Sequence, residues 1–257
     1  MLLEFLSKDE IASLAITFNE MLNRLENSFD AQKQFVSNIS HEIRTPLTAM
    51  LAELQLTAQK ERSIEEYKNA NEHIVSDIKN LVRLSNSLLD FAKASYDQTE
   101  ISFKEIRIDE VLLDARNDVL HNQPTYTVKI MFEKENENDT SVSVDGNEYL
   151  LKTAFINLME NGCKFSSANE VMVTISFDER NVIINFTDNG VGISDEDLAN
   201  IFTPFYRGKN KMFAGGNGIG LPLTQKIIAL HKGKISVASQ KNKGTTFTIQ
   251  LPHLPSL

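Results

Sequence analysis

Cysteine occurs once in the 257 residues, at Cys163, which excludes a disulfide framework and any cysteine-only zinc cluster. Positive charge is in deficit. Against 35 Asp and Glu there are 26 Lys and Arg, a formal net charge of −9, which argues against a nucleic-acid groove or a basic membrane patch. No stretch reaches the ~18 uncharged apolar residues of a spanning helix, and the N-terminus lacks a signal-peptide pattern. Glycine is the most informative scarcity. None of the 11 glycines falls in the first 145 residues, whereas seven fall within residues 190–220. A prior of roughly 150 residues per domain allows one large domain or two small ones. The glycine distribution points to two unlike halves.

The glycine-free half reads as long helices. Over residues 9–29, Ile11, Leu14, Phe18, Met21, Leu22, Leu25 and Phe29 recur at spacings of three and four. Phe35, Ile39, Ile43, Leu47, Met50, Leu51 and Leu54 continue the stripe. After a polar break at residues 60–63, a second stripe runs from Tyr67 through Ala70, Ile74, Ile78, Leu81, Leu84 and Leu88 to Phe91. Both match the helical period and not the alternation of a strand. Ser63 with Glu66 three residues on forms a capping box for the second helix. A hairpin of two such helices exposes a large apolar surface when alone. Pairing with a second copy, as a four-helix bundle, covers it.

From about residue 100 the pattern changes. Residues 101–108, 125–132 and 141–145 read as short strands, with a helix over 108–121 between the first two. Residues 146–164 form an apolar-rich helix. Residues 171–177 and 182–187 alternate like paired antiparallel strands hinged at 178–181. A glycine-rich irregular segment spans 189–218, followed by a helix over 219–231. A hairpin of 234–239 and 245–251 turns near 242–244. Strands interleaved with helices that cover one face describe an α+β sandwich. The acidic, Asn-rich residues 133–139 read as a solvated loop.

Within the first helix lies Phe35-Val-Ser-Asn-Ile-Ser-His41-Glu42-Ile-Arg-Thr45-Pro46-Leu47. Neutral imidazole is nucleophilic and titrates near neutral pH. A carboxylate beside it can take the proton from the other ring nitrogen and stabilise the imidazolium that develops. Adjacent helical residues do not face one another, so Glu42 needs a particular rotamer or a local bend. Pro46 supplies a cause for one: it has no N–H for the Glu42 carbonyl, and its ring crowds that oxygen, which predicts a kink. The segment resembles the dimerisation and phosphoacceptor segment of sensor histidine kinases, whose His-Glu-x-x-Thr-Pro core it matches completely. The resemblance implies that His41 accepts the γ-phosphoryl group of ATP and that Glu42 is the general base. It also implies that Thr45, one turn on, aligns the water that dephosphorylates a response regulator. His73, His121, His231 and His253 have no such neighbours and read as solvated or core residues.

Three further segments suit a nucleotide. In Asn157-Leu-Met-Glu-Asn161-Gly-Cys-Lys164-Phe165-Ser166 two amides at i, i+4 project from one helix face. Magnesium takes hard oxygen ligands and retains waters, so an asparagine carbonyl plus phosphate oxygens suffices. In Asp188-Asn-Gly190-Val-Gly192-Ile193 a carboxylate at a strand end is backed by glycines that permit close backbone approach, as acceptance of an adenine amine requires. Gly215-Gly216-Asn217-Gly218-Ile219-Gly220-Leu221 opens a helix, whose N-terminus and bare N–H groups suit phosphates. A dinucleotide-binding fold would place such glycines early, after its first strand, and is rejected. Pro222 in the first turn is harmless.

These segments resemble the boxes of the histidine-kinase ATP-binding domain, a fold shared with gyrase, the heat-shock chaperone ATPase and mismatch-repair ATPases. The resemblance implies that Asn161 ligates Mg²⁺, that Asn157 supports the metal and phosphate site, and that Lys164 approaches the phosphates. Asp188, backed by Gly190 and Gly192, would select ATP over GTP, because guanine presents a carbonyl at that place. Gly216, Gly218 and Gly220 would cradle the phosphates. Ile201-Phe202-Thr-Pro204-Phe205-Tyr206-Arg207 resembles the family's phenylalanine box, in which Phe202 and Phe205 anchor a mobile lid over 208–218. Arg207 is placed there to reach a phosphate.

Residues 8–21 resemble the closing helix of a HAMP linker. The expected organisation is therefore the end of such a linker over 1–30, a dimerisation and phosphotransfer hairpin over 31–97, and an ATP-binding domain over 98–257. The expected fold class is α plus α+β, a dimeric antiparallel four-helix bundle followed by an α/β sandwich of the gyrase, chaperone and histidine-kinase type. The implied partners are a second copy and a response-regulator receiver domain. No nucleic acid is implied, and a membrane only through the missing N-terminal part, the chain being the cytoplasmic portion of a bacterial membrane sensor. Two rivals are a conformational-clamp ATPase of the same fold and an inactive dimerisation scaffold. The first has no need of the His41 segment, and the second no need of Asn161, Asp188 and the glycines.

Overall fold

The computed structural model describes residues 8–96, 101–133, 142–208 and 216–254. The chain divides into two compact units, Met1–Leu81 and Val82–Leu257. The expected start of the linker, most of the expected loop 133–139 and most of the expected lid 208–218 lie outside the described residues.

The first unit is a helical hairpin. Helix α1 (Lys8–Ala58) runs 51 residues without a break, across residue 30 and through Pro46. Helix α2 (Ile64–Tyr96) begins where the capping box places it. The Ser63 N–H donates to Glu66 Oε2 at 2.9 Å, and the Glu66 N–H donates back to Ser63 Oγ at 3.2 Å. The Ser63 N–H, with the Ser63 hydroxyl donating to the same Oε2 at 3.0 Å, holds the exposed Glu66 carboxyl below its usual range. Across the turn Arg62 Nη2 donates to the Leu56 carbonyl at 3.1 Å. Most of the apolar stripe faces solvent: Leu14 and Phe29 are each 70% exposed. A single copy of this unit therefore presents the continuous apolar surface that calls for a partner. Among the described residues no helix is long and apolar enough to cross a membrane.

The second unit opens with the last turns of α2. Its centre is a five-stranded sheet of β2 (Thr127–Phe132), β4 (Glu170–Phe177), β5 (Asn181–Asp188), β6 (Lys234–Gln240) and β7 (Gly244–Pro252), in the order β2-β4-β5-β7-β6. Only the β2–β4 pair is parallel. Strands β1 (Lys104–Arg107) and β3 (Ser143–Gly146) form a separate antiparallel pair. Alternation puts Val171, Val173, Ile175, Val182, Ile184, Phe186, Phe247, Ile249 and Leu251 on one buried face. Helices α3 (Ile108–Asn122), α4 (Glu148–Phe165) and, after the single turn α5 (Asp195–Leu198), α6 (Gly220–Leu230) supply the core residues that complete it, and α4 packs on both α3 and α6. The rings of Phe155 on α4 and Phe186 on β5 lie 6.0 Å apart. The opposite face is polar, with Thr248 Oγ1 donating to Asn185 Oδ1 at 2.8 Å and the Thr187 and Thr246 hydroxyls 3.1 Å apart. The strand expected over 101–108 is confined to Lys104–Arg107, and α3 takes over at Ile108.

His231 fixes the end of α6 against the start of α4. Its Nε2 lies 2.9 Å from the Asn147 N–H, which can only donate, so the proton sits on Nδ1 and is given to the Ile227 carbonyl at 2.7 Å. Asn147 in turn caps α4 through the Leu150 N–H at 3.0 Å. Burial disfavours the imidazolium and holds the His231 pKa below the usual histidine value. With the folded value depressed, the unfolded chain takes up its proton first. The stabilisation is complete above about pH 6.5 and is lost as pH falls through the folded value. The denaturation midpoint is expected to drop between about pH 7.5 and about pH 5, and His231→Gln should flatten that dependence. An equal slope in both proteins would remove His231 from the account.

Candidate functional site

Two groups of the expected residues occupy separate units. In the first, His41 is exposed on α1, Glu42 and Pro46 are half-buried, and Thr45 is exposed. The Thr45 hydroxyl donates to the His41 carbonyl at 3.0 Å, which fixes its rotamer and leaves its lone pairs for solvent. Since Pro46 has no N–H, the Glu42 carbonyl lacks the donor that the helix would otherwise provide.

In the second unit the asparagine and glycine segments meet. Asn157 Nδ2 donates to the Gly220 carbonyl at 3.4 Å, joining α4 to the first residue of α6. Lys164 reaches back over the glycine turn, its Nζ within 3.1 Å of where a Cβ on Gly216 would stand. The same ammonium lies 5.5 Å from the Phe165 ring centroid. Burial, then the neighbouring Arg207 and Arg83 cations, holds Lys164 below the usual lysine pKa. A cation crowded in this way is stabilised by any anion that arrives. The Asn161 amide is half-buried and makes no hydrogen bond among the described residues, which leaves its carbonyl oxygen available. Among the described residues no three His, Cys, Asp or Glu side chains gather as a metal cage.

Asp188 ends β5 and is buried, at 6% exposure. Its Oδ1 accepts from the Gly190 N–H at 2.8 Å. Burial pushes the carboxyl up, against the hydrogen bonds from the Gly190 and Thr245 backbones. Gly190 bridges to Ser166 at the end of α4, and a Cβ there would strike the Phe165 carbonyl. Gly192 has φ +64° and lies against the Gln240 carbonyl, so a side chain is excluded on both grounds. These glycines let the strand end pass close beneath the asparagine helix. Gly162 has a packing reason too, since a Cβ would come 2.5 Å from Val171 Cγ2, and even alanine would not fit beside this valine.

The phenylalanine segment closes on the glycine turn. The Phe205 N–H donates to the Gly218 carbonyl at 2.8 Å, so the ends of the intervening loop are tied together. The Tyr206 hydroxyl donates to Asp197 Oδ1 at 2.6 Å, and Ser194 Oγ donates to Oδ2 at 2.8 Å. Phe202 is half-buried, and Arg207 lies near enough to Lys164 to act on its charge. Gly215 lies outside the described residues. Cys163 is buried against the Thr127 carbonyl, its thiol pushed up to about 11 by burial, and stays protonated.

Three residues of this neighbourhood escaped sequence reasoning. Ser239 Oγ accepts from the Ile193 N–H at 2.8 Å and donates to the Gly244 carbonyl at 3.0 Å, pinning the Asp188 loop to the β6–β7 hairpin. Thr245 pairs with Asp188 across the ladder, with its hydroxyl 2.9 Å from Ser239 Oγ. Gly244 is legible only as a turn residue, although a Cβ there would strike the Asp188 carbonyl.

Residues 31–96 match the His Kinase A (phospho-acceptor) domain, and residues 146–255 match the Histidine kinase-, DNA gyrase B-, and HSP90-like ATPase. The chain belongs to the sensor histidine kinases. It is 31% identical over 248 residues to the signal transduction histidine-protein kinase ArlS of Staphylococcus aureus. That match covers 94% of this chain and 53% of the relative, so the chain spans about half the length of the curated relatives it matches. The fold is that of solved kinases. The histidine kinase ThkA, in complex with the response regulator protein TrrA, superposes with a TM-score of 0.70 at 21% identity, over 93% of this chain and 66% of that one. The Acinetobacter baumannii histidine kinase AdeS gives 0.61 at 23% identity, over 82% of this chain and 97% of that one. The ATPase match lies within the second unit and supports the use of ATP there.

Proposed function

We propose that this chain transfers the γ-phosphoryl group of ATP to His41 and then to an aspartate of a response-regulator receiver domain, and that it also dephosphorylates that regulator. The reading rests on one conjunction: an exposed histidine set in a His-Glu-x-x-Thr-Pro segment, in a chain whose second unit brings Asn157, Lys164 and the Gly216–Gly220 turn together.

In this mechanism the glycine turn, Lys164 and Arg207 hold the triphosphate, and Asp188 takes the adenine amine. Asn161 would hold Mg²⁺ with Asn157 in support, and the metal would supply charge neutralisation between the phosphates. The unprotonated nitrogen of His41 attacks the γ-phosphorus in line while the bond to the β-phosphate oxygen breaks, and ADP departs. Glu42 receives the proton from the other ring nitrogen. Catalysis is thus mostly positioning and electrostatics. The apolar stripe of α1 and α2 supports pairing of two copies as a four-helix bundle. On this reading residues 1–30 end a HAMP linker, 31–97 dimerise and carry the phosphoryl group, and 98–257 bind ATP. The whole would form the cytoplasmic portion of a membrane sensor. Incubation with γ-labelled ATP is the test: acid-labile, base-stable label on the chain is expected, and its absence would leave the clamp ATPase or the scaffold.

Thr45 separates the two activities. Thr45→Ala removes the hydroxyl that aligns water and leaves His41 and Glu42 in place. Dephosphorylation of the regulator is expected to slow by at least about tenfold, with autophosphorylation within about twofold of the parent. A variant that keeps its full phosphatase rate would show that Thr45 has no part in it.

A further inference from the structure

Two neighbouring residues of α2 each hold one of the helices that frame the nucleotide site. Asp90 is 5% exposed, and its carboxylate oxygens accept from the Tyr149 hydroxyl at 3.3 and 3.2 Å. Tyr149 stands in the first turn of α4, the helix that carries Asn157, Asn161 and Lys164. Phe91, next along α2, turns its ring to Lys226 of α6, whose Nζ lies 5.1 Å from the centroid. The Gly216–Gly220 turn opens that helix. These turns of α2 belong to the same compact unit as the sheet.

Two pairings set α2 and α4 in opposite senses: Asp90 meets Tyr149 at the start of α4, and Arg83, earlier on α2, acts on Glu160 near the end of α4. Arg83 lies two turns before Asp90 on the same face of α2, and Glu160 lies three turns after Tyr149 on the same face of α4. The register therefore brings Arg83 towards the asparagine end of α4. In keeping with that, Arg83 acts on both Glu160 and Lys164: it opposes the upward push of burial on the first and adds to the downward push on the second. None of Arg83, Asp90, Phe91, Tyr149 or Lys226 lies in the histidine, asparagine, glycine or phenylalanine segments described above.

We propose that Asp90 and Phe91 are positioning residues for the nucleotide site, fixing α4 and α6 at the spacing that holds the triphosphate and thereby linking nucleotide occupancy to the last turns of α2. The inference rests on the reading of this unit as an ATP site. A nucleotide spanning the asparagine helix and the glycine turn favours one spacing of α4 and α6. Residues that hold both helices at that spacing raise affinity without touching the ligand. Linkage makes the effect reciprocal: bound nucleotide must steady the α2 turns as much as those turns favour the nucleotide.

The test uses the whole chain, a fluorescent ADP analogue and Mg²⁺. Tyr149→Phe removes one part-buried hydroxyl and keeps the ring, and Phe91→Leu keeps apolar bulk while removing the ring. Each is expected to weaken binding about three- to tenfold, and Phe91→Tyr, which keeps the ring face, to restore parental affinity. Hydrogen exchange over residues 82–96 supplies a second reading. Nucleotide should slow it in the parent and leave it unchanged when Tyr149→Phe and Phe91→Leu are combined. Parental affinity in the combined variant, or exchange that ignores nucleotide in the parent, would overturn the proposal. A parent chain that fails to bind the analogue would instead overturn the ATP reading.

Discussion

Replacing His41 with glutamine is expected to abolish phosphoryl incorporation from γ-labelled ATP, by at least about a thousandfold. An amide nitrogen carries no available lone pair, so nothing at this position attacks phosphorus. The substitution is otherwise mild. His41 is exposed in the middle of α1, and glutamine is a better helix former than histidine, so stability should stay within about 0.5 kcal/mol. Nucleotide binding should be unchanged, since Asn157, Lys164, Asp188 and the glycine turn belong to the other unit. The paired measurement matters. Lost label with retained binding assigns the nucleophile, whereas lost label with lost binding reports a damaged protein. Label persisting on the glutamine variant would remove His41 from the mechanism. Label that is stable to acid would indicate a hydroxyl acceptor in its place.

How much of this was legible in the sequence depends on the range of the interaction involved. The capping box at Ser63 and Glu66 is local, three residues long, and its reciprocal bonds form where the pattern puts them. The alternation in β4 and β5 is equally local, and so is the Asp178 turn between them, where the carboxylate accepts the Arg180 and Asn181 N–H groups at 2.8 Å. Strand order is another matter. Nothing within residues 127–132 records that β2 lies parallel beside β4, and nothing in 104–107 records that β1 leaves the main sheet to pair with β3. Such pairings are decided by what α3 and α4 must cover, a property of the whole core. The site divides along the same line. Asn157, Asp188 and the glycines announce themselves by type and spacing. Ser239 and Thr245 are ordinary strand residues until the β6–β7 hairpin brings them to the Asp188 loop, 46 positions from Ile193 in the case of Ser239. The need for glycine at residue 162 is hidden for a similar reason, because the constraint comes from Val171 on another element. His231, read as a core or solvated histidine, proves to be a core one whose partner Asn147 lies 84 positions away.

Asp188→Asn is the second large effect, and it tests how the base is chosen. In the parent the buried carboxylate accepts N–H groups from Gly190 and Thr245, which leaves acceptor capacity for the exocyclic amine of adenine. Asparagine keeps one acceptor oxygen and introduces an NH₂. Either that oxygen stays with the Gly190 N–H and the NH₂ faces the adenine amine, or the reverse, and one donor is left opposed to another. A buried site built around such a bond loses heavily when it cannot form. ATP affinity is expected to fall about a hundredfold, roughly 2.7 kcal/mol. Guanine presents a carbonyl at the same place, so GTP should lose far less and the preference should narrow sharply. The pH dependence provides an internal control. Because burial raises the Asp188 pKa, ATP affinity in the parent should begin to weaken at a higher pH than an ordinary aspartate would produce, and the asparagine variant should lack that decline. Competition of ATP and GTP against a fluorescent nucleotide, from about pH 5 to about pH 8, measures all three. An ATP affinity within about twofold of the parent, with the GTP preference unmoved, would show that the adenine amine is read elsewhere.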